Sequence, residues 1–337
     1  MNLYVNEYGA KVNMKNGVVC ISKNGSILNE IPINLVDSLA VYSSVQITSQ
    51  TITALSKNNC PVSWFDGINK LICSTDCDNI GHVLRRKHQY KLIDNARFRI
   101  ELSRKIIISK LISQYDTLKN IGASVEALSR FEQIISKACS QCRWQKDISS
   151  LRGIEGNCAA LYFSEVRLLV PKKFGFDSRT RQPPKDEYNA MLGFLYSLLY
   201  NEITMDIRSK GLDPYVGFMH EIKNGHYALA SDVMEEFRYI CDLAAFELTS
   251  SVDKEIDFAN SGDGVYFSGS GRAKAIAAYN KAMLSKCSYM NFIGYGNTVR
   301  DCLKRQLDKL AYAIDSEKLS CFEPIRSEKT HVLCHSI

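Results

Sequence analysis

The sequence predicts an α+β protein in which a β-sandwich-like N-terminal domain precedes an all-helical domain. Short segments rich in Val, Ile and Tyr, each ending in turn residues, fill the chain to about residue 80. Two Asn-Gly pairs separate some of these segments. After about residue 85, apolar residues recur at helical spacing in long segments instead. This change in the pattern of apolar residues predicts two domains of different structural class.

The N-terminal segments predict strands joined by tight turns. Asn16–Gly17 and Asn24–Gly25 each lie between apolar stretches, and both residue types tolerate the positive φ that a two-residue hairpin turn requires. One stretch, TSQTITALSKNN, predicts a helix between two strands. We therefore assign residues 1–84 to a small β-strand-rich domain.

The remainder, residues 85–337, predicts a helical domain. In its last long segment Leu303, Leu307, Leu310 and Ile314 recur at helical spacing. A Pro- and Gly-broken basic loop, 170–186, separates two of the helices. The predicted helices cover 94–116, 126–142, 155–169, 186–206, 232–250, 272–288 and 298–316.

Positive charge is concentrated in the predicted helical domain. Residues 1–84 carry five Lys or Arg against six Asp or Glu, so the net charge of +6 becomes +7 for the remainder. The segment Arg85–Lys110 alone contains nine basic residues and two acidic ones. Such a run is typical of a solvated helix face, but also of a surface that binds a phosphate backbone. Charge alone leaves both interpretations open.

Composition indicates a cytoplasmic protein. The first residues lack the basic start and apolar run of a secretory signal, and no apolar stretch is long enough to cross a membrane. Twelve cysteines without a repeating spacing suit reduced thiols. Cys139 and Cys142, with His331, Cys334 and His335, form only a weak zinc pattern, because the pair falls within a helical segment. The Gly-rich stretch 260–274 lacks a P-loop ending and predicts a hairpin or loop before a helix.

One polar cluster admits both a structural and a chemical interpretation. Asp232 and Glu235 stand three residues apart at the predicted start of a helix, and His220 precedes them by 12 and 15 residues. As N-cap and N3 residues, the two acids would form an acidic capping box. His220 and this acidic pair could instead supply ligands of a metal site from two segments of the chain. Such a site would need a third carboxylate from elsewhere in the sequence.

Glu155 is a candidate for that third carboxylate. It stands between Gly153 and Gly156 at the predicted start of the helix 155–169. Each glycine costs a helix about 1 kcal/mol relative to Ala, so a purely structural helix start would not require them. Flanking glycines would let the backbone bend and a bulky partner, such as a phosphodiester, approach Glu155 closely.

Four ordered motifs resemble the CRISPR-associated integrase, the adaptation protein that inserts spacers into CRISPR arrays. They are LRGIEGNCAALYF, RTRQPPKDEYNAMLGFLYSLLYNEI, GLDPYVGFMHE and ASDVMEEFR. The segment from IPINLVDSL to PVSWFDG also resembles the β-domain of that family, and CFEPIR resembles its C-terminal segment. The resemblance covers nearly the whole chain.

The resemblance implies a catalytic, metal-dependent helical domain. The implied catalytic residues are Glu155, His220, Asp232 and Glu235. Of these, Glu155, His220 and Glu235 are the implied ligands of one Mn²⁺ or Mg²⁺ ion, with Asp232 beside the site. Many family members carry Asp where this chain has Glu235, whose extra methylene could change the metal position or affinity. The ion would support transesterification, in which a DNA 3′-hydroxyl attacks a phosphodiester of the repeat.

The resemblance also implies partners. These are double-stranded DNA, as protospacer and CRISPR repeat, a second copy of the chain, and a small adaptation protein that bridges two dimers. We expect residues 1–84 to mediate dimerisation. The candidate DNA contacts in the basic loop and the helix after it are Arg179, Arg181, Lys185 and Asn189. Two alternatives stay open: a structure-specific DNA nuclease of the same fold, and a non-catalytic DNA-binding subunit whose acidic cluster only caps a helix.

Overall fold

A computed structural model describes residues 1–42, 44–66, 71–75, 82–180, 183–286 and 298–325. Internal contacts divide the chain into two units. The first consists of residues 1–86 together with 204–212, and the second contains the rest. The predicted division into a strand-rich part and a helical part is confirmed.

Two four-stranded sheets form the first unit. Its strands are β1 (Asn2–Val5), β2 (Lys11–Lys15), β3 (Val18–Lys23), β4 (Ser26–Pro32), β5 (Ser38–Tyr42), β6 (Gln46–Ile47), β7 (Val62–Phe65) and β8 (Leu71–Ser74). One sheet has the order β1-β5-β7-β8, with β8 antiparallel to its neighbour and the other pairs parallel. The other has the order β4-β3-β2-β6, in which only β6 runs parallel to its neighbour. Apolar side chains from both sheets share one core, as in a sandwich.

The predicted Asn-Gly turns are confirmed. Asn16 and Gly17 have φ of 51° and 77°, and Asn24 and Gly25 have φ of 50° and 81°. Both pairs join antiparallel strands of the second sheet, as expected where a turn needs two residues of positive φ. The predicted helix between strands is α1 (Ser49–Lys57), whose N-cap is the Thr48 side chain.

Helices build most of the second unit. After α1 the chain forms α2 (Val83–Ile93), α3 (Ala96–Asn120), α4 (Val125–Trp144), α5 (Ile148–Leu169), α6 (Glu187–Ser209), α7 (Ala228–Leu248), α8 (Lys254–Asp257), α9 (Gly269–Met283) and α10 (Val299–Ser316). Helix α3 packs against α4, α5 and α7, and α7 also packs against α9. No helix among the described ranges is both long and apolar enough to cross a membrane.

The Gly-rich stretch forms a hairpin before a helix, as predicted. Strands β9 (Phe258–Ser261) and β10 (Gly264–Phe267) pair antiparallel. The side chain of Ser268 then accepts a hydrogen bond from the Gly271 backbone N–H and caps α9. Among the described residues of the second unit, β9 and β10 are the named strands, and the other named elements are helices.

Candidate metal centre

Three helices bring one cation and two carboxylates together. Lys110 lies on α3, Glu155 on α5 and Glu235 on α7. The Lys110 ammonium pairs with Glu155 Oε1 and lies 2.6 Å from Glu235 Oε2. The side chains of Lys110 and Glu235 are only 10% and 5% exposed. A buried cation therefore sits between the two acids that were predicted to bind a metal.

Glu235 is held as a carboxylate by the charges around it. Burial opposes its ionisation, but Arg238, Lys110 and His220 together lower the pKa of Glu235 to about 2. Arg238 Nε lies 2.9 Å from Glu235 Oε2, three residues along the same helix. Glu235 is thus available in its anionic form, which is the form that a metal ion requires.

Asp232 fixes the position of His220. Its Oδ2 accepts hydrogen bonds from the backbone N–H groups of Phe218 and Met219, at 2.6 and 3.0 Å. Its Oδ1 accepts from the backbone N–H of His220 and is paired with His220 Nδ1, both at 2.8 Å. Because a carboxylate only accepts, Nδ1 carries a hydrogen, so in the neutral form of the ring the lone pair lies on Nε2. Nε2 is 3.9 Å from Glu235 Oε1, so the imidazole presents its basic nitrogen to the carboxylates.

The loop that carries His220 is anchored on several sides. Gln89 Nε2 donates to the carbonyls of Asp213 and Val216, at 2.9 and 2.7 Å. Arg99 Nε donates to the Phe218 carbonyl at 3.0 Å. At Gly217 a Cβ would stand 2.6 Å from the Ala228 carbonyl carbon and 2.8 Å from Asp232 Oδ2. Glycine is therefore required for the loop to approach α7 this closely.

The capping interpretation of Asp232 and Glu235 is wrong. Helix α7 begins at Ala228, four residues before the predicted start, because the run from 228 to 231 is itself buried against the core. Asp232 is therefore an interior residue of the helix, and its side chain bonds to the preceding loop instead of to the first turn. The alternative of a non-catalytic subunit relied on an acidic cluster that only caps a helix, and Asp232 and Glu235 do not cap α7.

Glu155 also lies inside a helix, not at its start as predicted. Helix α5 begins at Ile148, where the Asp147 side chain accepts from the Ser150 backbone N–H. Gly153 and Gly156 keep the helical course, and a Cβ at either would meet open space. The glycines thus leave an unobstructed surface beside Glu155, but they do not bend the backbone into a helix start.

The donor set fits a divalent ion in its chemistry but not in the spacing of its members. Two carboxylates and one imidazole suit Mn²⁺ and Mg²⁺. The cation that Glu155 and Glu235 share, Lys110, shows that the pair already accommodates positive charge. Within the described ranges, however, no three His, Cys, Asp or Glu side chains stand at ligand distance from one another. Metal binding by Glu155, His220 and Glu235 stays a prediction, and it requires Lys110 to move.

Glu155 and Glu235 lie in the wall of a cleft lined by charged and aromatic side chains. Its three cations, Lys110, Arg179 and Arg238, are matched by the carboxylates of Glu155, Glu235 and Asp242, and its aromatic rings are those of Phe163, Tyr196 and Tyr239. The Arg238 and Arg179 guanidinium carbons lie 4.9 and 5.5 Å from the centre of the Tyr196 ring. The cleft therefore combines cations with flat apolar surfaces, which are the groups that bind nucleic acid.

A buried carboxylate fixes one wall of the cleft. Tyr162 donates to Asp242 Oδ2 at 2.9 Å, and Tyr196 donates to Asp242 Oδ1. Burial raises the pKa of Asp242, while the two tyrosine hydrogen bonds oppose that rise. The Tyr196 ring that the arginines cover is thus held in place from α7.

The predicted DNA contacts occupy different environments. Arg179 is half-buried, and its Nη1 donates to Asn189 Oδ1 at 2.7 Å. Asn189 is buried, and its amide also donates to the Ser178 carbonyl at 2.8 Å. Lys185 is exposed, and Arg181 lies outside the described residues. Asn189 therefore shapes the loop that presents Arg179, and contact of any of the four with DNA stays a prediction.

Much of the basic run Arg85–Lys110 bonds to the protein itself. Arg104 donates to the carbonyls of Cys142 and Gln145, at 2.9 and 3.0 Å. Lys105 donates to the Phe322 carbonyl at 3.0 Å, and Arg99 and Lys110 make the contacts given above. The density of charge in this run thus reflects anchoring of loops and helices as well as exposed cationic surface.

One residue after α10 connects two of the site helices. The Ile325 backbone N–H donates to Glu236 Oε2 at 3.0 Å, and its carbonyl accepts from Ser109 Oγ at 2.7 Å. Glu236 follows Glu235 in sequence, and Ser109 precedes Lys110. We call this pair of hydrogen bonds the Ile325 bridge. It holds α3 and α7 at the level of the site.

The cysteine pair that formed the weak zinc pattern belongs to the core. Cys139 and Cys142 are 1% and 0% exposed on α4. Burial raises the pKa of the Cys142 thiol to about 11, which disfavours the thiolate that zinc binds. His331, Cys334 and His335 lie outside the described residues.

Sequence reasoning did not assign Lys110 and Arg238 to the site. Lys110 interrupts the apolar stretch IIISKLIS, four residues after the buried Ile106, so its place on an apolar face was the available signal. Arg238 follows Glu235 at the spacing of an ion pair on a helix. The pairing of Arg238 with Glu235 can be inferred from their spacing in the sequence. The partners of Lys110 lie on other helices, so only the three-dimensional structure identifies them.

A strand-rich unit, a helical unit and a carboxylate–imidazole cluster beside a cleft of arginines and aromatic rings indicate a class of protein, an enzyme that processes DNA. Comparison with known proteins agrees. The family model described as "CRISPR associated protein Cas1" matches residues 3–281. The chain therefore belongs to the Cas1 family, which confirms the predicted CRISPR-associated integrase and its class of function, DNA integration and cleavage in CRISPR adaptation.

Individual relatives support the assignment. A "CRISPR-associated exonuclease Cas4/endonuclease Cas1 fusion" of Leptospira interrogans is 31% identical over 82% of this chain, which spans only 54% of that fusion. A "CRISPR-associated endonuclease Cas1" of Mycobacterium tuberculosis is 26% identical over 94% of both chains. Among solved structures, one described as "Casposase bound to integration product" is 26% identical, with a TM-score of 0.79 over 94% of this chain and 92% of that one.

Proposed function

We propose that this chain is a metal-dependent DNA integrase that joins the 3′-hydroxyl ends of short duplexes to a CRISPR repeat by transesterification. One observation carries the proposal: Glu155 and Glu235 share one cation, Lys110, beside a cleft that contains arginines and aromatic rings, and His220 Nε2 lies 3.9 Å from Glu235 Oε1. The similar solved structure, a casposase bound to an integration product, supports the same chemistry.

The residues of the site have distinct tasks. Glu155, Glu235 and His220 would hold a divalent ion, Mn²⁺ or Mg²⁺. When bound, such an ion polarises a scissile phosphate and stabilises charge on the attacking and leaving oxygens. Asp232 keeps the His220 ring in the tautomer that leaves Nε2 basic. Arg238 balances the charge of Glu235, and Arg179 lies where it can bind a phosphate group in the cleft.

The proposal includes partners. The exposed Lys185 and the half-buried Arg179 would bind DNA through its phosphates, without reading sequence. A homodimer, with residues 1–84 as its interface, and a small second adaptation protein that bridges two dimers are expected from membership of the family.

An integration assay tests the proposal. A short labelled duplex with 3′-hydroxyl ends is incubated with a plasmid carrying the CRISPR repeat and with Mn²⁺. Glu155→Gln should abolish joining, because it removes a negative charge from the proposed ligand set, and it should leave the fold intact. Glu165→Gln is the matched control: Glu165 lies on the same helix but pairs with Arg130, and this variant should keep full activity.

The same assay separates the alternatives. A duplex ending in a 3′-deoxynucleotide cannot attack a phosphodiester, so joining should cease with it. Cleavage of the plasmid that is indifferent to the 3′ end would favour a structure-specific nuclease over an integrase. Full joining by Glu155→Gln in saturating Mn²⁺ would remove Glu155 from the site and contradict the proposal.

A further inference from the structure

The strongest unexplained feature of the site is the position of Lys110. A lysine ammonium is seldom buried, and this one is 10% exposed with carboxylates on two different helices. It lies between Glu155 and Glu235, where a metal ion held by both acids would also have to lie. An ammonium and a divalent ion cannot occupy the same space between two carboxylates.

We propose that Lys110 is a tethered cation that neutralises Glu155 and Glu235 when no divalent ion is bound and that competes with the ion for them. This inference rests on the proposed function. Without Lys110, the buried Glu235 and the partly exposed Glu155 would repel each other across α5 and α7, although Arg238 pairs with Glu235. Lys110 relieves that repulsion, so the site can stay assembled in the absence of metal.

The competition lowers the affinity for metal. If the ammonium occupies the carboxylates for most of the time, only the remaining fraction of molecules can accept the ion, and the apparent affinity falls by that fraction. A site engaged about 99% of the time would bind about 100-fold more weakly than the same site without the lysine.

Metal affinity measured without DNA tests this inference. Lys110→Met keeps the length and apolar stem of the side chain but removes its charge. We expect it to lower the melting temperature of the metal-free protein and to tighten the Mn²⁺ dissociation constant, measured by calorimetric titration, at least tenfold. Lys105→Met is the matched control, because Lys105 lies on the same helix but pairs with Glu323, and its Mn²⁺ affinity should equal that of the parent.

A labelling experiment on the parent protein covers the case in which Lys110→Met fails to fold. An amine-acylating reagent followed by peptide mass spectrometry reports how accessible each lysine is. Lys110 should be protected without metal and should be acylated several-fold faster in saturating Mn²⁺, while Lys105 should not change. Equal acylation of Lys110 with and without the ion would overturn the inference.

The outcomes separate this inference from the proposed function. If the parent and Lys110→Met bind Mn²⁺ equally well, the lysine does not compete and only the inference fails. If neither protein binds Mn²⁺ at millimolar concentration, the metal site itself is wrong and both fail. Tighter binding by Lys110→Met alone supports both.

Discussion

Replacing Asp232 by Asn tests how the imidazole of the site is oriented. The side chain of Asp232 is 1% exposed and receives three backbone N–H groups and one ring nitrogen. Each carboxylate oxygen of Asp232 accepts from two donors: Oδ2 from the backbone of Phe218 and Met219, and Oδ1 from the backbone and ring of His220. An asparagine amide has one oxygen, so it can accept from only one of these pairs of donors. Its NH₂ group must then face the other pair. The substitution changes little in volume but reverses hydrogen-bond polarity at half of the contacts.

The size of the effect follows from these contacts. Each buried donor left without an acceptor costs about 1–3 kcal/mol. An NH₂ group that faces Phe218 and Met219 leaves two backbone donors unpaired and should lower the free energy of unfolding by about 2–6 kcal/mol. One that faces His220 leaves only the His220 backbone N–H unpaired, at a cost of about 1–3 kcal/mol. If the NH₂ group faces His220, it donates to Nδ1 and drives the ring hydrogen to Nε2. That nitrogen then loses its lone pair for metal. We expect Mn²⁺ affinity to fall about 10–100-fold, as is usual when an outer partner of a ligand is changed.

Chemical denaturation and calorimetric Mn²⁺ titration measure the two effects separately. Asp257→Asn is the matched control, because Asp257 is also fully buried and accepts from the Asp253 backbone, Ser270 and Lys274. It should lose stability by an amount on the order of a few kcal/mol and keep its Mn²⁺ affinity. An Asp232→Asn protein that binds Mn²⁺ as well as Asp257→Asn does would refute the orienting role.

Two further predictions concern stability. Burial raises the pKa of Glu236 to about 8, so between about pH 4.5 and 8 the folded state binds more protons than the unfolded state and stability falls as pH rises. Glu236→Gln should flatten this decline in denaturant melts at pH 5, 6.5 and 8.5; parallel curves for variant and parent would contradict the assignment. Arg300 Nε lies 2.6 Å from the fully buried Glu202, so Arg300→Met should strand that charge and cost about 3–5 kcal/mol. Calorimetry should show a melting temperature about 4–7 °C lower, because a chain of 337 residues has an unfolding entropy of about 0.7 kcal/mol/K. The exposed Arg97→Met should shift it by no more than about 2 °C.

The sequence predicted those parts of the fold that depend on local pattern. Asn16–Gly17 and Asn24–Gly25 specify hairpin turns because few other residue pairs accept positive φ twice in succession. The seven predicted helices all exist, since each has its own apolar periodicity. Helix starts were less predictable. The stretch before Asp232 continues the helix because it is buried on all sides, and burial on all sides leaves no periodicity to read.

The site was predicted in its residues but not in its arrangement. Glu155, His220 and Glu235 were identified through motifs; in the structure Glu155 and Glu235 meet at Lys110, and His220 lies beside Glu235. Lys110 was assigned to a basic surface, because a run of charges in a sequence does not show which members turn inward. The role of Asp232 was also misplaced, since a side chain that bonds to backbone 12–14 residues earlier has no local pattern.

The Ile325 bridge has a consequence for the order in which the site is made. Lys110, Glu155, His220 and Glu235 are all synthesised before Ile325, whose backbone joins the residues next to Lys110 and Glu235. Chains fold from their N-terminal side during synthesis, so α3 and α7 can pack directly against each other before residue 325 is made. The Ile325 bridge is then a late addition to a contact that already exists. It gives the Glu236 carboxylate and the Ser109 hydroxyl, which lie beside the site, a backbone partner only when the chain has reached residue 325.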